Sequence, residues 1–469
     1  MRTAIAWFRN DLRVHDLPML AAAVHASDRI VPVFILDNGL VEGAGTSPNR
    51  TRFLLESLHD LRAALRRRGG DLFIRSGNPE KELGALAKKT GASEVHFTAD
   101  YTPFARRRDQ KVVAALHKQG IQTVISPGRL AIDDMSVIST SGGQPIKVFT
   151  PFFKQWQHVP RRRPAKSPRS ITVPDSLSPG DIPTLEKLIR SDETLTVSPK
   201  AAKGGEHAGR TRLKRFLESG LTDYHKDNND LGADATSRLS SYLHFGCLSV
   251  REIEKVLPAG DGPAAFHRQL AWRDFYHYII WYFPGNLHQE FQERYRHLSW
   301  HNDTQLLQAW KDGKTGYPIV DAAMRQLQTE GWMHNRARLI VGSFLTKDLG
   351  LDWRHGEAHF LQWLCDGDIA NNNGNWQWIA SVGVDPAPVF RRLYNPSSQA
   401  KTYDPDGVYI RRYVPELAEV CDKYLAEPWR MSAEEQGKSG CVIGQDYPRP
   451  VIDHAVARKV ALERYHRST

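Results

Sequence analysis

The chain has 469 residues, enough for two or three domains, and carries a formal net charge of +10. Its hydrophobic fraction of 41% and charged fraction of 25% are ordinary for a globular protein and exclude a disordered or fibrous chain. The excess of basic residues favours a polyanionic partner, of which nucleic acid is the commonest.

The first third of the chain alternates short apolar runs with amphipathic segments. Segments such as 52–68 and 106–118 have helical spacing. The apolar runs predict strands at 4–8, 30–35, 72–74, 95–97 and 123–125. Strands that alternate with helices imply a doubly wound parallel sheet covered on both faces, so we predict an α/β domain at 1–130.

A different composition follows this domain. Residues 159–208 are rich in Pro, Ser, Lys and Arg, which is typical of a long connector on the surface. After Gly209 helical periodicity dominates and no long β alternation occurs. We therefore predict a connector at 131–208 and an all-α domain at 209–469.

The cysteines and the apolar segments bear on the compartment. Four cysteines without a CxxC pair argue against a disulfide scaffold or a structural zinc site. The first residues lack the apolar run that is typical of a signal peptide, and we expect no segment to be long enough to span a bilayer. We expect a cytoplasmic protein without a metal or a membrane contact.

A short polar segment, DGDIANNNGNWQW at 366–378, is the first candidate ligand site. It combines two acids, three consecutive asparagines and two tryptophans. Buried polar groups need hydrogen-bond partners, and a heteroaromatic ligand rich in nitrogen and oxygen would supply them. The alternative is a helix N-terminus capped by Asp and Asn.

The second candidate is GWMHNRAR at 331–338. Asn335, Arg336 and Arg338 lie beside Trp332 and can place cations against a phosphate or an anionic cofactor. A solvated basic helix face is the alternative.

The third candidate is TSRLS at 236–240, preceded by Tyr224. Clustered hydroxyls with an arginine at the start of a helix can cradle a diphosphate. The alternative is a set of ordinary helix caps without a ligand.

Together these segments resemble the photolyase/cryptochrome flavoprotein family. The matching motifs, which stand in the order of that family, are AWFRNDLRVHD, TSRLSSYLHFG, AWRDFYHYIIWYFPG, KTGYPIVDAAMRQL, GWMHNRAR, DGDIANNNGNWQW, YNPSSQAKTYDPDGVYIRRYVPEL and YPRPVIDHAVAR. They cover nearly the whole chain, and the likeness is closest to bacterial cyclobutane-dimer photolyases. It implies an α/β antenna domain, a helical FAD domain, and a monomer that binds damaged DNA.

The resemblance implies light-driven repair in which excited FADH− gives an electron to a flipped-out cyclobutane dimer. The residues that match flavin contacts are Tyr224, Thr236, Ser237, Leu239, Ser240, Trp332, Asn335, Arg338, Asp366, Asp368 and Asn372. Arg338 and Asp366 are expected to pair beside the flavin ring. Asn372 matches the position facing flavin N5, where plant cryptochromes carry an acid, so it favours repair over signalling.

Three tryptophans, Trp376, Trp353 and Trp300, match the electron-transfer chain of the family. Indoles suit this role because they are readily oxidised and stack closely. Core filling is the alternative role for each of them.

The expected lesion pocket has two aromatic walls, Trp272 and Trp378, on which a flipped dimer could lie. Arg336 and Arg391 match contacts to the phosphates of the lesion. The arginine runs 106–108 and 161–163 are expected to be solvated faces.

Two positions depart from the family pattern: Leu339, where many dimer photolyases carry Met, is minor, and Gln269 is the important one. Gln269 stands where dimer photolyases usually carry a Glu that hydrogen-bonds the thymine. Gln donates through its NH2 group but cannot give up a proton. Gln269 is similar to (6-4) photolyases, whereas Asn335 is the residue of dimer enzymes. A (6-4) photolyase and a cryptochrome-like photoreceptor are therefore the alternatives to dimer repair.

A second, light-harvesting chromophore stays open at this point. A folate or a deazaflavin could bind the α/β domain, or neither. The segments 37–52 and 101–109 do not choose between them.

Overall fold

The N-terminal third forms a five-stranded parallel sheet of order β3-β2-β1-β4-β5 in the computed structural model, which describes residues 1–37, 47–175, 177–189 and 196–467. The strands are β1 (Thr3–Phe8), β2 (Arg29–Leu36), β3 (Phe73–Ser76), β4 (Glu94–Thr98) and β5 (Gln122–Ser126). All residues of the central strand β1 are buried, because helices cover both faces of the sheet. The predicted doubly wound α/β fold is confirmed.

Four helices flank the sheet: α1 (Pro18–Ala26), α2 (Pro48–Arg66), α3 (Pro79–Thr90) and α4 (Pro103–His117). Each begins with a proline, whose fixed φ suits the first turn. The side chains of Ser47, Asn78 and Thr102 cap α2, α3 and α4. These caps explain why α2 and α4 begin a few residues before the helical spacing at 52–68 and 106–118.

Little regular structure follows β5 until residue 206. The exceptions in the described ranges are a 3-10 turn at Met135–Val137 and the short helices α5 (Phe149–Trp156) and α6 (Leu185–Leu188). This path fits the predicted connector.

The rest of the described chain is helical, as predicted. Its helices are α7 (Glu206–Ser219), α8 (Tyr224–Asp227), α9 (Ser240–His244), α10 (Val250–Val256), α11 (Asp261–Tyr282), α12 (Thr304–Asp312), α13 (Pro318–Glu330), α14 (Asn335–Ser343), α15 (Trp353–Trp363), α16 (Ile369–Ile379), α17 (Pro396–Tyr403), α18 (Val408–Tyr413), α19 (Asp422–Leu425), α20 (Ala433–Ser439) and α21 (His454–Arg467). A π-helical turn, Phe344–Asp348, extends α14, and 3-10 turns lie at Pro284–Leu287, Glu293–Tyr295, Val389–Arg392, Pro415–Leu417 and Pro428–Arg430. In the portion of the chain described here, no helix combines the length and the apolarity needed to cross a membrane.

A hydrophobic cluster joins the two halves of the molecule, and further clusters lie within each half. A single cluster runs from Ala4 and Phe8 in the sheet to Tyr242 and Phe275 in the helical domain. Phe53 of α2 stacks on Phe245 just after α9, with ring centroids 4.9 Å apart. The apolar side chains buried in this contact hold the sheet against the helical domain.

Candidate functional site

A cavity of about 500 Å³ lies between α9, α11, α14 and α16, within the size range of small-molecule sites. It brings together segments that are more than 130 residues apart in the chain. All eleven predicted flavin contacts line it, as do Gln269, Trp272, Arg336, Trp376 and Trp378. Of the other predicted site residues, Arg391 is exposed on the 3-10 turn Val389–Arg392, and Trp353 and Trp300 lie behind the cavity wall.

Asp368 is the N-cap of α16 and lines the cavity. Its Oδ1 accepts the backbone N–H of Asn371 at 3.0 Å, which is an N-cap. Its Oδ2 lies 3.2 Å from His277 Nε2 and 3.4 Å from Arg129 Nη2. Burial raises the pKa of Asp368, but the contacts with His277 and His244 outweigh burial and hold it well below the usual range. The segment is therefore both a capped helix start and a cavity wall.

Arg129 links this carboxylate to the N-terminal domain. Its Nη1 lies 3.2 Å from Asp100 Oδ2, and both side chains are almost fully buried. A row of alternating charges thus runs from Asp100, just after strand β4, through Arg129 to Asp368. Neither the position nor the composition around Arg129 indicates this role in the sequence.

The expected ion pair between Arg338 and Asp366 is present, with Arg338 Nη2 donating to Asp366 Oδ2 at 2.8 Å. Within the described part of the chain, the other carboxylate oxygen of Asp366 and the hydroxyl of Thr236 are buried without a hydrogen-bond partner. Buried polar groups are normally hydrogen-bonded. Two buried polar atoms without a partner that line the same cavity indicate a site for a polar ligand.

The two predicted lesion walls are held by neighbouring groups. Trp272 stacks on Phe149 of the connector helix α5, with centroids 3.7 Å apart and planes 7° apart. The guanidinium of Arg392 lies 3.8 Å from the ring of Trp378 and donates to its carbonyl oxygen at 3.0 Å. These supports fix flat apolar surfaces on which a heteroaromatic ring could stack.

Helix α11 presents Gln269, Trp272 and Tyr276 to the cavity at a spacing of i, i+3 and i+7, which places them on one helix face. Gln269 and Asn335 are both exposed at the mouth of the cavity. Sequence reasoning missed Tyr276, although its helical spacing from Gln269 was readable. The arginine of the TSRLS segment, Arg238, lines the cavity with its guanidinium 4.3 Å from the Trp332 ring.

The three predicted electron-transfer tryptophans differ in burial. Trp376 lines the cavity and packs on Gly356 of α15, where an added Cβ would lie 2.1 Å from its ring. Trp353 begins α15 and is fully buried, whereas Trp300 is partly exposed beneath the guanidinium of Arg464, 5.0 Å away. Burial thus falls from the inner two tryptophans to Trp300. Their electron-transfer role stays a prediction.

The C-terminal end of α16 is tied down by three groups from other elements. Arg392 donates to the carbonyl of Trp378, Lys347 donates to that of Ile379, and Tyr465 donates to that of Ala380. Burial holds the pKa of Lys347 well below its usual value, and nearby Arg392 adds to this effect. These bonds satisfy carbonyls that a helix end leaves unpaired.

A partly buried acid, Glu357 of α15, lies against α16. Its Oε1 accepts from Asn373 at 3.0 Å, and its backbone oxygen accepts from Asn372 at 3.0 Å. Burial raises the pKa of Glu357 from 4.5 to about 7, although the bond from Asn373 opposes the shift. Its ionisation therefore costs folding free energy as the pH rises from about 4.5 to about 7.

We expect Glu357→Gln to increase the free energy of unfolding by roughly 1–3 kcal/mol at pH 8 and by much less at pH 5. Gln keeps the volume and can still accept from Asn373. Urea unfolding at the two pH values checks this. Glu434→Gln, at a highly exposed carboxylate, is the control and should show no such pH dependence. An equal effect of Glu357→Gln at both pH values would contradict the prediction.

The candidate antenna segments are only partly described, since residues 38–46 lie outside the described ranges. In the other segment, Arg108 is not solvated: its side chain is 12% exposed and its guanidinium lies 5.0 Å from the Trp7 ring. Arg162 of the second arginine run also pairs with a buried carboxylate, Asp16, at 2.6 Å. The expectation that both runs form solvated faces is wrong at these two positions.

Known proteins share this architecture and sequence. A deoxyribodipyrimidine photo-lyase of Streptomyces griseus is 42% identical over 471 residues, with 98% of each chain covered. A protein named cryptochrome DASH from Natronomonas pharaonis is 36% identical over 477 residues, which cover 97% of this chain and 98% of the relative. The crystal structure of a class III photolyase from Agrobacterium tumefaciens matches with a TM-score of 0.92 and 34% identity, over 100% of this chain and 98% of that chain.

Two family models divide the chain between them. The model of the FAD binding domain of DNA photolyase matches residues 266–467, and the DNA photolyase model matches residues 4–169. The first covers the cavity walls on α11, α14 and α16, and the second covers the sheet. The chain therefore belongs to the photolyase/cryptochrome family of flavoproteins.

Proposed function

We propose that this protein is a deoxyribodipyrimidine photo-lyase that repairs cyclobutane pyrimidine dimers in DNA with light. One observation supports this proposal above all. The same cavity is lined by a polar cradle, which is the set of eleven predicted flavin contacts, and by two tryptophans, Trp272 and Trp378, that neighbouring groups hold in place. The names of the most similar relatives favour this activity. The net charge of +10 suits a DNA substrate.

The cradle fits FAD. The unpartnered Thr236 hydroxyl and the short helix α9 suit hydroxyl and diphosphate groups, and the unpartnered oxygen of Asp366 suits a donor on the ligand. We assign the eleven cavity residues of the sequence analysis to FAD. When bound and reduced, FAD supplies on illumination the electron that opens the dimer. Arg338 balances a negative charge on the ring, while Asn372 adds no charge of its own.

The remaining cavity residues, together with Asn335, which belongs to both sets, hold the substrate. Trp272 and Trp378 stack the flipped-out bases in place of their lost neighbours in the duplex. Arg336 donates from Nε and Nη2 to Asn229 Oδ1 at 3.0 and 2.8 Å and supplies a cation at the mouth of the cavity. Arg391, outside the cavity, is assigned to a lesion phosphate. Gln269 and Asn335 donate hydrogen bonds to the dimer from the same mouth.

The test of the proposal uses the purified holoprotein, photoreduced and then illuminated with duplexes that carry one defined lesion. We expect repair of the cyclobutane dimer and no repair of the (6-4) photoproduct. Repair of the (6-4) photoproduct alone would support the alternative that Gln269 favours, a (6-4) photolyase. Repair of neither lesion would support a cryptochrome-like photoreceptor, and the Natronomonas relative is named a cryptochrome.

Gln269→Glu is expected to raise the quantum yield of dimer repair by about twofold to tenfold, equivalent to ~0.4–1.4 kcal/mol. A protonated Glu strengthens its hydrogen bond as charge develops on the base, whereas Gln offers a neutral donor only. The measurement is repair per absorbed photon with fully reduced protein. An unchanged or lower yield would mean that the cavity is adapted to the amide.

We further propose that the protein works as a monomer in the cytoplasm and that a folate or deazaflavin can serve as an antenna. Its four cysteines form no disulfide, which suits a reducing compartment. Sedimentation of the holoprotein, and its absorption spectrum after purification from the native host, test these points.

A further inference from the structure

Trp353 donates its indole N–H to a buried carboxylate. The distance from Trp353 Nε1 to Glu290 Oε1 is 3.2 Å. The indole is fully buried, and the Glu290 side chain is 4% exposed. Bulk water therefore reaches neither partner of this bond, and a proton that leaves the indole nitrogen has Glu290 as its immediate acceptor.

Arg354 holds Glu290 in place. Its Nη1 lies 2.9 Å from Glu290 Oε1, and its Nη2 donates to Oε2 at 3.0 Å. The same guanidinium lies 4.7 Å from the centroid of the Trp353 ring. A cation at this position is attracted to a neutral indole but repels an oxidised one. A positive charge on Trp353 is therefore unfavourable unless the adjacent carboxylate compensates it.

An indole that loses an electron becomes a much stronger acid at its N–H. We infer that Glu290 is the proton acceptor of Trp353 when this tryptophan is oxidised, an inference that rests on the electron route of the proposed function. Bound oxidised FAD, when photoexcited, would be the oxidant of Trp376, and Trp353 then gives an electron to the oxidised Trp376. At the same time the Nε1 proton moves to Oε1 of Glu290. A neutral indolyl radical and a neutral carboxylic acid remain.

The next electron restores the pair. When Trp300 gives an electron to the Trp353 radical, the proton returns from Glu290 to Nε1, and the carboxylate is again paired with Arg354. The positive charge left by the electron is thus that of the partly exposed Arg354, and the buried indole itself carries none. Because an electron that comes back from the flavin must be accompanied by return of the proton from Glu290 to the indole, recombination is slowed and Glu290 raises the yield of photoreduction.

The experiment isolates Trp353 by the change Trp300→Phe, which stops the electron hole at the middle tryptophan. Flash spectroscopy of this holoprotein distinguishes the protonated radical cation of indole from its neutral radical. The test variant adds Glu290→Gln, which keeps the volume and can still accept the N–H bond. Arg354 retains Asp352, 3.1 Å away, so the fold is expected to persist. Glu293→Gln, at an exposed carboxylate three residues along, is the matched control.

We expect the neutral radical with Trp300→Phe alone and with the control. With Glu290→Gln added, we expect the radical cation. In the otherwise unchanged chain, Glu290→Gln should lower the photoreduction yield by about tenfold. A radical cation when Glu290 is intact, or a neutral radical when it is replaced, overturns the inference.

Two further measurements keep the inference testable. If Glu290→Gln does not fold, formation of the neutral radical in the Trp300→Phe protein is compared in H2O and D2O, and an equal rate overturns the inference. Dimer repair by chemically reduced protein needs no electron from Trp353. If chemically reduced protein does not repair dimers, the proposed function is wrong. If repair is normal but Glu290→Gln leaves the radical spectrum of Trp353 unchanged, only the role of Glu290 is wrong.

Discussion

Replacing Trp376 by Phe is expected to slow photoreduction of FAD by about tenfold or more, while chemically reduced protein repairs dimers at nearly the normal yield. A phenyl ring is much harder to oxidise than an indole. Trp376 lies between the cavity and α15, so its loss leaves no oxidisable ring at the cavity wall on the way to Trp353. The measurement is the rate of flavin bleaching under blue light with a thiol donor.

Trp310→Phe is the matched control for this change. Trp310 is also fully buried, and its ring centroid lies 6.1 Å from that of Trp376, but it does not line the cavity. Each substitution shortens an aromatic core residue and costs about 1–2 kcal/mol of stability. If both variants slowed photoreduction equally, packing rather than oxidation of Trp376 would explain the effect.

Asp368→Asn is expected to lower the free energy of unfolding by about 3–5 kcal/mol and to release FAD. Asn keeps the N-cap of α16 but removes the charge that faces Arg129 and His277. Because the folded-state pKa of Asp368 is depressed, its stabilisation is complete above the unfolded value near 4 and is lost as the pH falls. The loss in the variant should therefore be constant above about pH 5.

Asp352→Asn gives the comparison for this prediction. Asp352 caps the neighbouring helix α15 and pairs with a half-exposed arginine, Arg354. We expect a loss of about 1 kcal/mol or less there, because solvent screens that pair. Urea unfolding followed by the release of flavin fluorescence measures both variants. Similar losses at the two caps would show that the burial of Asp368 adds nothing.

The sequence was sufficient for the sheet, the helical domain and the set of cavity residues, for two physical reasons. Strand and helix periodicities are local, and the motifs around Thr236, Asn335 and Asp368 carry polar groups that a core would not accept without a ligand. The roles assigned to these residues rest on resemblance and stay predictions.

What could not be predicted depends on contacts between distant segments. The runs 106–108 and 161–163 look like solvated charge, yet Arg108 covers Trp7 and Arg162 pairs with Asp16. Arg129 reaches Asp368, 239 residues away, and nothing in its neighbourhood marks it. A run of charges in the sequence shows only which residues are neighbours along the chain. Whether an arginine forms a buried ion pair depends on how distant segments pack together.

The bonds at the end of α16 have a consequence for how the protein is made. Tyr465, which holds the carbonyl of Ala380, is synthesised 85 residues after it. Arg464, beside it, lies over Trp300 and donates to Thr346 at 2.6 Å. The helix that carries Asn372 thus gains its last partners only when nearly all of the helical domain has left the ribosome. We therefore expect the cavity wall formed by α16 to be held in place only after α21 has been synthesised.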